Sequence, residues 1–408
     1  MIKELKAARY PLELTLLLAL CFFLPLFEAP KNLAFLGYVV TWSVNRARSR
    51  DFGGRWDLWD TLIVLWIGSG YLAAAFAGLQ GNEWIGARDL HRYALVLWLA
   101  KRSGYSPREI RCVLGTLVAS AVIGLAYGYW RLWSGEGKSG MLQLHSVGHV
   151  NHTAIYIAIV IGLYAAWIYT CWRAWQPGMR AVASAVSTLL LVSLVETQSR
   201  GALGVGLALL PALALVWWRR WRVLLPASVI VVALVIAAST VGEVEVVQKQ
   251  QRNVVHQNVL ASRDGVWQVS LAVWERFPLF GIGMDNYSLI TVARLKAWRA
   301  ELGKDYDADR YVQFPHGHSI YLNTLVERGV VGFALLAAVL VTWLLWLARF
   351  RPKPQDADID WILWGAAAGA LFVTAGVGSV NTTLHDEHGI LAVLLLGLWL
   401  SRRRAPAS

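Results

Sequence analysis

The sequence predicts an all-α, polytopic integral membrane protein of about twelve transmembrane helices, interrupted by one large helical loop outside the bilayer. Three observations carry this. Apolar runs of roughly 20 residues alternate with short polar loops along most of the chain, the length a helix needs to cross a bilayer. Apolar residues make up 57% of the chain against 16% charged, with a mean hydropathy of +0.47, which excludes an ordinary soluble domain. A single long polar segment, residues 241–318, ends in Pro315-His316-Gly317-His318-Ser319, just where another apolar run begins.

The apolar spans fall at 11–27, 32–44, 57–78, 90–101, 110–131, 151–172, 180–197, 201–218, 222–240, 319–348, 359–379 and 388–401. The second and fourth are short enough to be re-entrant. Residues 1–240 thus hold spans one to nine, 241–318 the loop expected to carry the active site, and 319–408 spans ten to twelve. Many of the 22 tryptophans flank the runs, among them Trp42, Trp56, Trp59, Trp130, Trp133, Trp217, Trp218 and Trp221, as in an interfacial aromatic belt.

Orientation follows from the basic residues. Most of the 38 Lys and Arg side chains lie on one side: Lys3, Lys6 and Arg9; Arg46 to Arg55; Lys101 to Arg111; Arg173 and Arg180; Arg219 to Arg222; Arg349 to Lys353; and Arg402 to Arg404. The opposite short loops hold only Lys31, Arg88, Arg92, Arg131, Lys138 and Arg200, and in the long loop acids balance bases. Both termini are therefore expected in the cytoplasm, with the long loop on the far side, the periplasm of a Gram-negative cell. The formal charge of +12 follows this topology and does not mark a nucleic-acid partner. No small-residue cleavage site follows the first apolar run, so that helix is expected to stay as an anchor. Cys21, Cys112 and Cys171 all lie in or beside apolar runs, which argues against a disulfide framework.

Within the loop, Ser262-Arg263-Asp264 reads as a helix start, with Trp267, Leu271 and Trp274 on one face. Pro278 and Gly281-Ile282-Gly283 end that helix, and Asp285 or Asn286 is placed to cap a second one through Ile290, Ala293 and Ala297. An ordered helical cap on the membrane is expected.

Four groups of ionisable residues face outward beside the bilayer. Arg200 interrupts two apolar runs in Glu196-Thr197-Gln198-Ser199-Arg200-Gly201; a charge there costs a few kcal/mol unless it is partnered or hydrated. The bland alternative is an arginine snorkelling to headgroups. Arg263 opens the loop helix, where a plain ion pair with Asp264 or Glu275 is the alternative. His318 precedes a helix that Ser319 can cap; the positive helix end disfavours imidazolium and leaves a neutral base. A structural histidine is the competing reading, and His316 reads as its support. His385, Asp386, Glu387 and His388 form a second cluster, but their spacing fits no standard zinc pattern, so no metal is expected. Two outward arginines suit a diphosphate held bidentately as it leaves, and a neutral histidine suits taking the proton of an attacking hydroxyl.

This constellation resembles the family of bacterial O-antigen ligases, O-antigen polymerases and protein O-oligosaccharyltransferases. The stretch His318-Ser319, nine residues, then Gly329-Val330-Val331-Gly332 is similar to the ligase pattern of His, a small polar residue, nine positions and Gly-x-x-Gly. Pro278-Leu279-Phe280-Gly281-Ile282-Gly283 looks like the family's Pro-Leu-x-Gly-x-Gly segment, and Ser199-Arg200-Gly201 resembles its Arg-bearing loop. One position departs: Leu203 stands three places after Arg200, where the ligase pattern has a leucine four on. The resemblance implies inverting, metal-independent transfer of glycan from undecaprenyl diphosphate, with no cofactor and an inner-membrane location. It makes His318 the base and Arg200 and Arg263 the diphosphate clamp; Arg88 and Asp386 rank second, as contacts to acceptor or clamp. The ligase pattern favours an O-antigen ligase using lipid A-core as acceptor. A polymerase acting on two lipid-linked repeats, a protein glycosyltransferase, and a lipid or solute transporter stay open. The last would place ionisable residues at mid-membrane, where this chain has few.

Overall fold

The computed structural model describes residues 8–135, 141–218 and 263–403. Among them it is all-helical, with thirteen α-helices: α1 Pro11–Phe23, α2 Glu28–Ser49, α3 Leu58–Ala75, α4 Glu83–Arg102, α5 Pro107–Trp133, α6 Val150–Cys171, α7 Pro177–Glu196, α8 Arg200–Trp218, α9 Arg263–Arg276, α10 Val292–Glu301, α11 Ile320–Arg349, α12 Asp358–Gly378 and α13 Asp386–Ser401. Eleven of the twelve expected apolar stretches are each one helix; the twelfth, 222–240, lies outside the described residues, as do Lys3, Lys6, Lys138, Arg219, Arg220, Arg222, Arg404 and the first part of the loop. Among the described residues seven helices are long and apolar enough to cross a membrane, and the chain is a multi-pass membrane protein. The two stretches expected to be short are not: α2 and α4 run 22 and 20 residues, because polar turns at their ends are helical too.

Local sequence sets the boundaries. Asp57 accepts from the Trp59 and Asp60 amides while the Asp60 side chain accepts from the Asp57 amide, a capping box at α3. Ser106 and Glu109 do the same for α5, with Pro107 in the first turn, where its missing N–H costs nothing. In the middle of the bundle, α6 and α12 cross where Gly162 meets Gly369; a Cβ on Gly162 would lie 3.1 Å from the Gly369 Cα, so the two backbones touch.

The basic end of the bundle is more than a topology signal. Arg102 grips buried Asp60 with both nitrogens of a fork, Nε to Oδ1 at 2.8 Å and Nη2 to Oδ2 at 2.7 Å, and Lys101 Nζ adds a third contact at 2.8 Å. Arg46 and Tyr105 both donate to buried Glu13. These pairs tie helix ends together with charges that would be costly to bury alone. Of the flanking tryptophans, Trp56, Trp130 and Trp133 are exposed, as a belt requires, whereas Trp42 and Trp59 are core residues. The Trp218 side chain and Trp221 lie outside the described residues.

At the other end, α11 breaks. Gly329 has φ 61° and ψ −164° inside a 30-residue helix, and the chain from Pro278 to Gly283 docks into the gap. Val330 N donates to Pro278 O at 2.8 Å and Val331 N to Leu279 O at 3.3 Å; Ile282 N donates to Val326 O at 2.9 Å and Gly283 N to Glu327 O at 3.0 Å. The helix break frees these groups and the docked strand-like segment satisfies them. A Cβ on Gly329 would sit 2.2 Å from the Leu279 carbonyl oxygen, and one on Gly281 2.3 Å from the Val326 oxygen. The two glycine motifs thus recognise each other.

The described part of the loop has its own apolar core, built by Val266, Val269, Val273, Ile282, Tyr287, Leu295 and Trp298. The expected first loop helix is present as α9, whose predicted start at Ser262 lies at the edge of the described residues. The second loop helix differs: Thr291 caps α10 by accepting from the Arg294 amide. Asn286 is instead buried, donating to Leu79 O, Ile282 O and Glu83 Oε2 while accepting from the Asn82 amide at 2.7 Å. A side chain used four times over cannot also cap a helix.

Candidate active site

At the end opposite the Asp60 network, α4, α6, α11 and the α12–α13 turn surround a cavity of about 510 Å³. Its wall includes Asp89 and Tyr93 from α4, His152 from α6, Asp285, His316, Asn323, Glu327 and Arg328 around α11, and His385 and Asp386. Ile320 N donates to Asn381 O at 3.1 Å, which fixes the start of α11 against the α12–α13 turn. A Cβ on Gly201 would lie 2.8 Å from Val380, so the start of α8 abuts the same turn.

His318 stands at φ 46°, a left-handed conformation that a non-glycine residue adopts only where its surroundings hold it. Ser319 caps α11, accepting from the Leu322 amide at 3.5 Å, and Asn323 Oδ1 accepts from the Gly317 amide at 3.0 Å. The imidazole packs edge-on against His316, 4.3 Å between ring centres, and against Phe314 at 4.9 Å. Its Nδ1 is buried with no hydrogen-bond partner among the described residues. Burial, then the neighbouring His316, Arg263 and His149, bring its pKa down to about 4. The helix end expected to keep this base neutral is therefore secondary to desolvation. His316 is likewise brought down to about 4, by burial first and then by His152, His385, His149 and Arg263.

Arg200 is the first residue of α8 and Arg263 the first of α9, so two chain segments deliver one guanidinium each. Burial, and next the charge of Arg200, hold the Arg263 guanidinium below its ordinary value. The two guanidiniums therefore lie within electrostatic reach of each other. From the cavity His316 is the nearer histidine, and His318 stands one ring behind it, within the field of Arg263.

Among the second-rank residues, Asp386 lines the cavity and accepts from His385 Nδ1 at 2.8 Å and His152 Nδ1 at 3.3 Å. Arg88 does not line it: the side chain is 70% exposed, beside Asp89 at 3.9 Å. The charged cluster is also divided. Glu387 turns away to a buried ion pair with Lys31 and accepts from Ser146, so Lys31 is not a headgroup lysine. Sequence reasoning missed His152, Asp89, Asp285, Glu327 and Arg328 as wall residues. Their signal was present, as ionisable groups at the outward ends of apolar helices. Glu327 Oε1 accepts from the Asp285 amide at 3.2 Å, and Arg328 donates to Ser69 and Thr324. Burial, then Asp89 and Asp386, push the Asp285 carboxyl above its ordinary range.

Beside this site the described residues form an apolar groove of about 930 Å³, running along α8 from Gly204 to Val216, α11 from Tyr321 to Ala348 and α12 from Trp364 to Gly376. The α8 stretch alone spans about 18 Å at the helical rise. Gly204 is one turn beyond Arg200.

A family model described as O-antigen ligase matches residues 185–337. Over that segment, somewhat more than a third of the chain, it is similar to the O-antigen ligase and polymerase family. The O-antigen ligase match takes in Arg200, Arg263, both site histidines and the Gly329-x-x-Gly332 element, and it leaves out Arg88, His152 and the 385–388 cluster. No curated protein matches the chain. The match supports a glycosyltransferase-like activity of the O-antigen ligase or polymerase type.

Proposed function

We propose that this protein is an O-antigen ligase, moving the finished glycan from undecaprenyl diphosphate to a hydroxyl of the lipid A-core oligosaccharide. The observation that carries this reading is a half-buried, neutral His318 within the field of Arg263, whose guanidinium in turn feels that of Arg200. The arginine forks hold the donor diphosphate, and the apolar groove that starts one turn from Arg200 suits the polyprenyl chain. The acceptor hydroxyl oxygen attacks the anomeric carbon from the face opposite the diphosphate. The new carbon–oxygen bond forms as the bond to the diphosphate breaks, so the configuration inverts. His318 takes the hydroxyl proton, and the electron pair leaves with the diphosphate, whose charge Arg200 and Arg263 neutralise. Because the leaving group departs as a stable anion, the reaction needs neither a general acid nor a metal. His316 orients His318, and Asp386 and the other wall residues contact the acceptor.

In this reading the site faces the periplasm and both termini the cytoplasm, a topology supported by the gathering of basic residues at the opposite end of the bundle. Purified protein supplied with undecaprenyl-diphosphate glycan and lipid A-core is expected to yield glycan-extended lipid A-core, and His318→Ala to yield none. Longer lipid-linked glycans from donor alone would replace the ligase by a polymerase. Neither product would overturn the enzymatic reading in favour of transport.

A further inference from the structure

We propose that His152, His385, Asp386 and His388 form a binding site for a zinc-like divalent metal ion in the wall of the cavity, apart from the His318 base and the Arg200–Arg263 clamp. The residues come from two places far apart in sequence, the first turn of α6 and the start of α13. One Nδ1 or Nε2 each from His152 and His385 and one carboxylate oxygen of Asp386 lie within 4.8 Å of one another. Asp386 Oδ2 is already 2.8 Å from His385 Nδ1 and 3.3 Å from His152 Nδ1. In a tetrahedral zinc site, metal–ligand distances of about 2.0–2.1 Å put neighbouring ligand atoms about 3.3–3.4 Å apart, so small shifts suffice.

His388 supplies the fourth side chain. Its ring centre is 5.2 Å from that of His152 and 4.8 Å from that of His385. It is only 1% exposed, and among the described residues neither ring nitrogen makes a well-formed hydrogen bond, although the Thr382 backbone acts on it. A buried imidazole without a proper partner is costly, and a metal ion would satisfy it. An outer partner is also in place: His385 Nε2 lies 3.1 Å from the Thr382 hydroxyl, the kind of contact that orients a metal-binding imidazole. Three imidazoles and one carboxylate select zinc, cobalt or nickel over magnesium and calcium, which require mostly oxygen ligands. Glu387, held by Lys31, does not compete for the ion.

Such an ion would join α6 to the α12–α13 turn, the element on which α11 and α8 start. All four residues fall outside the segment matched by the O-antigen ligase family, so the site belongs to this chain's own scaffold.

Full-length protein in detergent, stripped with EDTA and then exchanged, would be titrated with ZnCl₂ by calorimetry. One ion per chain is expected, with a raised melting temperature and, with Co²⁺ instead, the visible absorption of a tetrahedral site. Asp386→Asn, His388→Ala and the partly exposed His152→Ala should each weaken binding by about 10–100-fold, while His316→Ala should keep it. If His388→Ala fails to fold, Asp386→Asn and His152→Ala decide the matter. No uptake by the wild-type protein, or uptake unchanged in Asp386→Asn and His152→Ala, overturns the proposal. Loss of glycan transfer in the His318 variant is a separate readout, so either idea can fail alone.

Discussion

Val330 donates its amide to the carbonyl of Pro278 at 2.8 Å, closing a helix break with a loop segment 52 positions upstream. That contact exists because Gly329 adopts φ 61° and Gly281 φ 70°, leaving both backbones bare where they meet.

Gly329→Ala or Gly281→Ala should therefore cost folded protein rather than chemistry alone. Each puts a Cβ within 2.3 Å of a backbone atom in addition to the strain of the left-handed region, about 1–3 kcal/mol before any clash. A thermal melt in detergent is expected to show a large drop in midpoint or no monodisperse protein. A normal melt would show that the loop is not locked to α11.

Replacing His318 by alanine should reduce transfer by about 10²–10⁴-fold and leave donor binding intact, as expected on loss of a general base. The pH profile gives an independent check. With its pKa brought down to about 4, His318 is neutral and able to accept a proton at any higher pH, and becomes imidazolium only below that value. Activity limited by this group should stay flat from neutrality down to about pH 5 and then fall. A half-point near pH 6.5 would mean an unburied histidine, against the structure.

Arg200→Ala and Arg263→Ala should each slow donor use by about 10²-fold, the effect of roughly 2.7 kcal/mol lost from the leaving-group interaction. Lysine at either place restores charge without the fork and should recover only part of the rate. Single-turnover rates with saturating acceptor would measure this. Full rescue by lysine would mean that charge alone, and not bidentate geometry, holds the donor.

Asn286→Ala should loosen the loop without touching the bundle. The side chain joins Leu79, Asn82, Glu83 and Ile282, and its loss takes the partner from the Leu79 carbonyl and the Asn82 amide at about 1–3 kcal/mol each, while the Ile282 carbonyl keeps the Leu79 amide. Hydrogen exchange is expected to rise in 79–83 and 282–290 and remain unchanged in α6 and α12. Uniform change would place Asn286 in the global core.

Stripping divalent metals with EDTA should leave glycan transfer intact, because the proposed mechanism puts the charge on Arg200 and Arg263 and the proton on His318. An assay of the stripped protein with donor and acceptor checks this, and strong inhibition would require the ion in the reaction.

The membrane class, the positions of eleven helices, and the likeness of Arg200, Arg263 and His318 to family residues could all be read from the chain. Apolar run length, loop charge and local motifs are properties of neighbouring residues, and a bilayer imposes them directly on the sequence. Tertiary structure decided what depends on residues remote in the chain. It turned Asn286 from a helix cap into a latch, sent Glu387 to Lys31, and showed that the two glycine motifs face each other. It also brought His152 to Asp386, a pairing that no local spacing encodes. The neutrality of His318 belongs to this second class: a helix end could be foreseen, but the burial that dominates it arises only when Phe314, His316 and the facing helices pack around the ring.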